Sequence, residues 1–311
     1  MAATQLDKLL VLGTRGSPLA LAQAHELAAR LGEALGRPVS DFPLDVIRTT
    51  GDAIQDRALS EAGGKGLFTK EIDAAQLSGR VDIAVHSSKD LPTELPEGLV
   101  LAGYLPREDA RDALIGIGPL DGLGSLPQGA RIGSASLRRQ AIVKRARPDC
   151  EVMLLRGSVG TRLDKLAAGQ FHATLLAIAG LRRLGLAARA SAILSTDEML
   201  PAVGQGAIGL VVRHGDEAAQ RAVDAVSCAE TGLCVTAERA MLKVLDGSCR
   251  TPIAGHATIS GGVLTLKGLI LSPDGSDAAE GKLSGPVADC ARMGQELGAM
   301  LRARAPSGVY A

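Results

Sequence analysis

Over roughly its first 220 residues the chain alternates short apolar runs with stretches of helical periodicity, the pattern of α/β units. Residues 9–12 are the first apolar run and read as a strand. Ser17-Pro18 then supplies an N-cap followed by proline at the first helical position. Leu27, Leu31 and Leu35 recur at helical spacing, and Gly36 stands where that helix should stop. Residues 44–47 and 81–85 read as further strands, the second after a helix over 70–77. Residues 130–133, 152–155 and 174–178 read as strands too, followed by helical stretches at 137–146, 161–168 and 181–184. Strands separated by helices predict α/β architecture with a mostly parallel sheet. The last part differs. It has a helix over 237–245, a long strand over 263–271 and a final helix over 286–304. This predicts a small α+β domain with a boundary near 225–230, and further seams fall at 105–107 and 200–204.

Composition changes this picture in what it excludes. A length of 311 residues suits two or three domains. Lys plus Arg is 34 and Asp plus Glu is 34, so a nucleic-acid binder held by phosphate contacts is not expected. Aromatic residues are 2%, too few for a base-stacking surface. The start of the chain carries Asp7 and only the short run 9–12, so it reads as neither signal peptide nor membrane span. The five cysteines are odd in number and form no CxxC pair, so free thiols in a reducing compartment are expected. Neither they nor the five histidines fall into zinc-ligand spacing, and no metal is expected.

In open α/β sheets, ligands bind at the carboxyl ends of strands against helix N-termini. Four such corners stand out: Thr14-Arg15-Gly16-Ser17, His86-Ser87-Ser88-Lys89-Asp90, Ser134-Ala135-Ser136-Leu137-Arg138-Arg139, and Arg156-Gly157-Ser158-Val159-Gly160-Thr161-Arg162. Three of them set small hydroxyl residues beside Arg at a helix start. One alone would be a capped helix with a solvated Arg; three predict a converging site for a ligand with several negative groups. Asp90 is the only carboxylate in these segments. A helix cap or turn would explain an isolated Asp. Among so many cations it is a candidate for general acid/base work or for stabilising a cationic intermediate.

Two glycine motifs mislead. Gly204-Gln205-Gly206-Ala207-Ile208-Gly209 fits G-x-G-x-x-G, but it follows a proline-containing loop and runs into an apolar stretch, not a helix. Gly63-Gly64-Lys65-Gly66 lacks the remainder of a P-loop and reads as a loop able to cover a cleft. Among the thiols, Cys249 stands out in Asp246-Gly247-Ser248-Cys249-Arg250-Thr251-Pro252, where a turn and an adjacent Arg favour exposure and a lowered thiol pKa. An incidental loop cysteine fits the same reactivity rules. Cys150, Cys228, Cys234 and Cys290 read as packing residues.

At these residues the chain resembles the porphobilinogen deaminase (hydroxymethylbilane synthase) family, nearly end to end. The resemblance is carried by 14–20, 63–68, 86–92, 136–140, 155–163, 179–184, 200–207 and the Cys249 loop, in that order. It implies two α/β lobes of the periplasmic-binding-protein type with a cleft between them, plus a small C-terminal α+β domain. The first lobe would be 1–106 with 205–226, the second 107–204, and the third domain 227–311. It also implies a dipyrromethane cofactor joined to Cys249 by a thioether. Four porphobilinogen molecules are added to this primer with loss of ammonia, and the linear tetrapyrrole is freed by hydrolysis. Asp90 matches the family's catalytic aspartate. By the same resemblance Lys89, Ser134, Ser136, Arg138, Arg139 and Arg162 hold cofactor carboxylates. Arg15, Ser17, Gln23, Phe68, Arg156 and Arg183 face the substrate or growing chain. A cytoplasmic monomer with no membrane or nucleic-acid partner is implied as well. Departures from the family pattern are Ser88, Ala22, Ser158 and the Ser248 and Arg250 flanks of Cys249.

The main rival is a non-enzymatic bilobal binding protein for a small anionic ligand, which needs neither Asp90 nor Cys249. A dehydrogenase is a second rival, weakened by the misplaced glycines. Fold alone does not separate them.

Overall fold

The computed structural model describes residues 9–53, 66–245 and 251–309. In chain order it begins with β1 (Leu12–Arg15), α1 (Pro18–Leu35), β2 (Leu44–Ile47), the single turn α2 (Thr50–Ala53), α3 (Lys70–Leu77), β3 (Ile83–Ser87) and β4 (Leu99–Tyr104). There follow β5 (Asp112–Gly116), β6 (Arg131–Gly133), α4 (Leu137–Ala146), β7 (Glu151–Met153), α5 (Val159–Ala167), β8 (Ala173–Ala177), α6 (Ile178–Arg183) and β9 (Ala192–Ile193). The chain ends with β10 (Ile208–Arg213), α7 (Glu217–Val226), α8 (Ala229–Val244), β11 (Ile253–Ser260), β12 (Val263–Leu271), β13 (Ala278–Pro286) and α9 (Cys290–Ala303).

Two compact units result, one of 9–53, 66–107 and 207–232, the other of 108–206, 233–245 and 251–309. The first unit holds a sheet of order β2-β1-β3-β10-β4. β1 pairs parallel with β2 and β3, whereas β10 is antiparallel to both β3 and β4. The second unit repeats this plan as β7-β6-β8-β5-β9. β6 is parallel to β7 and β8, and β5 is antiparallel to β8 and β9. The sheets are therefore mixed, which corrects the mostly parallel expectation. A parallel neighbour needs a crossover, usually a helix, and no helix precedes β5 or β10 at the seams where the chain changes unit. The two α/β lobes thus share one topology.

Local chemistry accounts for the helix bounds. The Ser17 side chain accepts from the Ala20 amide, Pro18 opens α1, and Gly36 closes it at φ 64°, a left-handed backbone that suits glycine. α1 buries Leu27 and Leu31 against Leu12, Ile83 and Leu210, each worth about 1.5–3 kcal/mol relative to exposure. In the second unit, the antiparallel sheet β11-β12-β13 packs against α8 and α9 through Met241, Leu264, Leu266, Leu297 and Leu301. This is the small C-terminal α+β domain. Its Leu271 is buried in the same cluster as Leu114, Ile132 and Leu175 of the second lobe. The turn after β12 also presses on α4: a Cβ on Gly275 would lie 2.4 Å from the Ala141 carbonyl oxygen.

Candidate active site

The first-unit corner is built where β1 and β3 end. The Ser17 cap fixes the start of α1, and buried Gln23, one turn on, donates from Nε2 to the Ser87 hydroxyl at 2.9 Å. Ser88–Asp90 forms a 3-10 turn, closed by the Leu91 amide donating to the Ser88 carbonyl. This turn carries exposed Lys89 and half-buried Asp90. The Arg15 guanidinium lies 4.1 Å from the Phe68 ring centroid, within cation–π range, and 3.7 Å from Asp90 Oδ2. Arg15, Ser17, Gln23, Phe68, Lys89 and Asp90 thus belong to one corner. His86 is buried behind it, and burial together with the Arg15 charge pushes its pKa down to about 4.

The second-unit corner is built where β6, β7 and β8 end. The Ser134 hydroxyl accepts from the Ser136 amide at 3.1 Å, and Ser136 caps α4 by accepting from the Arg139 amide. Ser158 caps α5 by accepting from the Thr161 amide, and Arg162 Nε donates to the Gly157 carbonyl at 2.9 Å. Arg156 is half-buried just before this cap. At the end of α6, both terminal nitrogens of Arg183 donate to the Gly206 carbonyl at 3.2 Å.

Arg138 and Arg139 are turned inward, a placement the sequence did not announce. Asp112, fully buried at the start of β5, sits 2.8 Å from Arg138 and 2.6 Å from Arg139. Arg139 also donates to the Leu175 carbonyl and Arg138 to the Leu200 carbonyl. Burial alone would raise the Asp112 pKa; the two arginines overcome this and hold it below the usual carboxylate value. Asp112, which lies outside the four segments, is the carboxylate beside these arginines that the sequence reading missed. Its one sequence signal is an acidic residue opening the apolar run 113–115. Arg138 Nε, in a side chain 5% exposed, has no hydrogen-bond partner. With Ser134, Ser136 and Arg162 it gives a cationic, hydroxyl-rich donor set suited to carboxylates. Cys249 lies outside the described residues, as does the glycine-rich segment up to Lys65.

Each α/β lobe presents cations and hydroxyls at its strand ends, the donor set of a protein that handles small polyanionic molecules. Residues 10–221 match the family described as porphobilinogen deaminase, dipyromethane cofactor binding domain, and residues 232–303 match the porphobilinogen deaminase C-terminal domain. The porphobilinogen deaminase of Nitrobacter winogradskyi is 53% identical over 97% of this chain and 95% of its own. That of Nitrobacter hamburgensis is 52% identical with the same coverage. The periplasmic VFT2 domain of Bordetella pertussis BvgS aligns at 14% identity and a TM-score of 0.40, over 70% of this chain and 86% of its own. The chain belongs to the porphobilinogen deaminase family, is an enzyme of that type (hydroxymethylbilane synthase), and carries the family's dipyrromethane cofactor domain.

Proposed function

We propose that this chain joins four porphobilinogen molecules head to tail onto a dipyrromethane primer attached to Cys249, releasing ammonia each time and freeing hydroxymethylbilane by hydrolysis. The observation that carries the reading is Asp90, held on a short turn within 3.7 Å of Arg15, which itself lies over Phe68. When bound, dipyrromethane would supply the free pyrrole carbon to which the first unit is joined.

Asp90 gives a proton to the departing amine, faces the pyrrole N–H as positive charge develops, and takes up the proton released on coupling. Arg15, Ser17, Gln23 and Phe68 hold the incoming substrate beside it. Lys89, Ser134, Ser136 and Arg162 bind cofactor carboxylates. Arg138 adds its free Nε–H, and Arg139 contributes mainly charge because Asp112 and the Leu175 carbonyl engage all three of its nitrogens. Arg156 and Arg183 serve the growing chain. The enzyme works as a cytoplasmic monomer of three domains, 1–106 with 205–226, 107–204 and 227–311. The family assignment disfavours a mere binding protein.

The test is intact mass under denaturing conditions, with peptide mapping and an Ehrlich colour reaction. The expected result is an added mass of two pyrrole units on the Cys249 peptide. A chain that stays unmodified after incubation with porphobilinogen would overturn the reading.

A further inference from the structure

α3 turns an unusually polar face toward the first-unit sheet. Its buried residues include Asp73 and Gln76 as well as Ile72 and Ala75. Gln76 Nε2 donates to the Val211 carbonyl at 2.7 Å, and Val211 is the pairing partner of Ala84 on β3. Gln76 therefore lies level with Ala84. α3 ends at Leu77 and β3 starts at Ile83, so the helix runs back along the strand. From Gln76 to Asp73 the helix rises about 4.5 Å, and from Ala84 to His86 the strand rises about 6.6 Å. Asp73 is thereby placed on the His86 side of Gln76 along the strand.

The orientation of β3 agrees. The Ser87 hydroxyl bonds to Gln23 on α1, so Ser87 faces α1, and alternation sends His86 and Ser88 to the opposite face, where α3 packs. Ala84, on that face, shares a core cluster with Ile72 of α3. Across this seam several buried polar atoms have no hydrogen-bond partner of standard geometry, among them Thr69 Oγ1, Asp73 Oδ1, Gln76 Oε1, His86 Nε2 and Ser88 Oγ. Native interiors rarely leave such atoms unmet; where several converge they bind water. His86, near the end of β3, and Ser88, at the start of the turn, lie two residues apart and do not bond each other; one water can bridge two such groups. Burial raises the Asp73 pKa, with a Thr69 hydrogen bond opposing and Glu71 adding to it, and burial together with the Arg15 charge lowers that of His86. Ser88 also anchors the catalytic turn: its amide donates to the Ala207 carbonyl and its carbonyl accepts from the Leu91 amide.

We propose that Asp73, His86 and Ser88 bind internal water in a hydrogen-bonded seam beneath the Ser88–Asp90 turn, and that these three are positioning residues for Asp90. This rests on the role given to Asp90 above. None of them touches substrate; they fix the height and tilt of the turn that does.

Two readouts test it. A crystal structure of the holoenzyme at a resolution that shows ordered water should place a water on both His86 Nε2 and Ser88 Oγ. A seam closed by direct side-chain contact, without water, overturns the proposal. Ser88→Ala should lower kcat about tenfold while leaving KM and the mass of the loaded cofactor unchanged. Asp73→Asn, which keeps the side-chain shape and a hydrogen-bonding carbonyl oxygen, should recover most of what Asp73→Leu loses. A Ser88→Ala enzyme with parental kcat, or with a changed KM alone, overturns the positioning role. A parent enzyme with no turnover would instead refute the assigned activity, and the crystallographic water would still decide the seam.

Discussion

Asp112→Ala is the sharpest perturbation the structure offers. Asp112 is fully buried and accepts from Arg139 at 3.0 and 2.6 Å and from Gln205 at 3.1 Å, with Arg138 a further 2.8 Å away. Truncation leaves two guanidinium groups, 5% and 7% exposed, without their carboxylate. Removing one partner of such a buried group costs about 3–5 kcal/mol. At roughly 2–4 °C per kcal/mol for a unit of this size, the transition containing the second lobe should fall by at least about 6 °C. The assay is a circular-dichroism melt of parent and variant at pH 7, extended to a double-mutant cycle with Arg139→Ala. The cycle should return a coupling above about 0.5 kcal/mol. The stabilisation also has a pH signature. The folded-state pKa of Asp112 is depressed, so its contribution is complete above the unfolded value near 3.9 and is lost as pH falls through the lower folded value. The parent should therefore lose its advantage over Asp112→Ala only in acid. A variant that melts within about 2 °C of the parent at pH 7 would refute the reasoning.

Glu238→Ala should destabilise by roughly 2–6 kcal/mol, because this buried carboxylate accepts from the amides of Gly204 at 2.7 Å and Ala257 at 2.8 Å, which would both be stranded; urea unfolding measures it. Gly206→Ala combines a φ of 87° with a Cβ placed 2.3 Å from the Glu108 carbonyl oxygen, so soluble yield and melting temperature should both drop. Asp90→Asn should keep the fold and the bound cofactor while turnover falls about 10²–10⁴-fold, and near-parental turnover would remove the acid/base role. Cys249→Ser should carry no covalent pyrrole by intact mass; an adduct on another cysteine would move the attachment site.

The elements legible in the sequence were those defined by local signals. The expected spans 44–47, 70–77, 137–146 and 263–271 coincide with β2, α3, α4 and β12, and the Ser17 and Gly36 boundaries of α1 hold. What escaped depends on strand pairing, which propensity and pattern do not show. β13 reads Ala-Ala-Glu-Gly-Lys-Leu-Ser-Gly-Pro, a poor strand sequence by propensity, and is a strand because it pairs along its whole length with β12. β4, β5 and β9 depend on partners far along the chain, whereas β11 is a strand through its hairpin with β12 across Gly261-Gly262. The same holds in the site. Cap chemistry marked Ser17, Ser136 and Ser158, because a cap is readable within a few residues. The partner of Arg138 and Arg139 lies some two dozen residues upstream on an antiparallel strand, and nothing local to α4 announces it.

The insertion of β10 between β3 and β4 sets an order of events during synthesis. The sheet of the first lobe is incomplete until residues 208–213 have emerged, because β3 and β4 meet only through β10. The second-lobe sheet draws all its strands from the contiguous stretch 112–193. The lobe made first is therefore finished last. At about 5–20 residues per second, β4 waits on the order of five to twenty seconds for its neighbour after it is made, with the open edges of β3 and β4 exposed to chaperones or to misplaced strands.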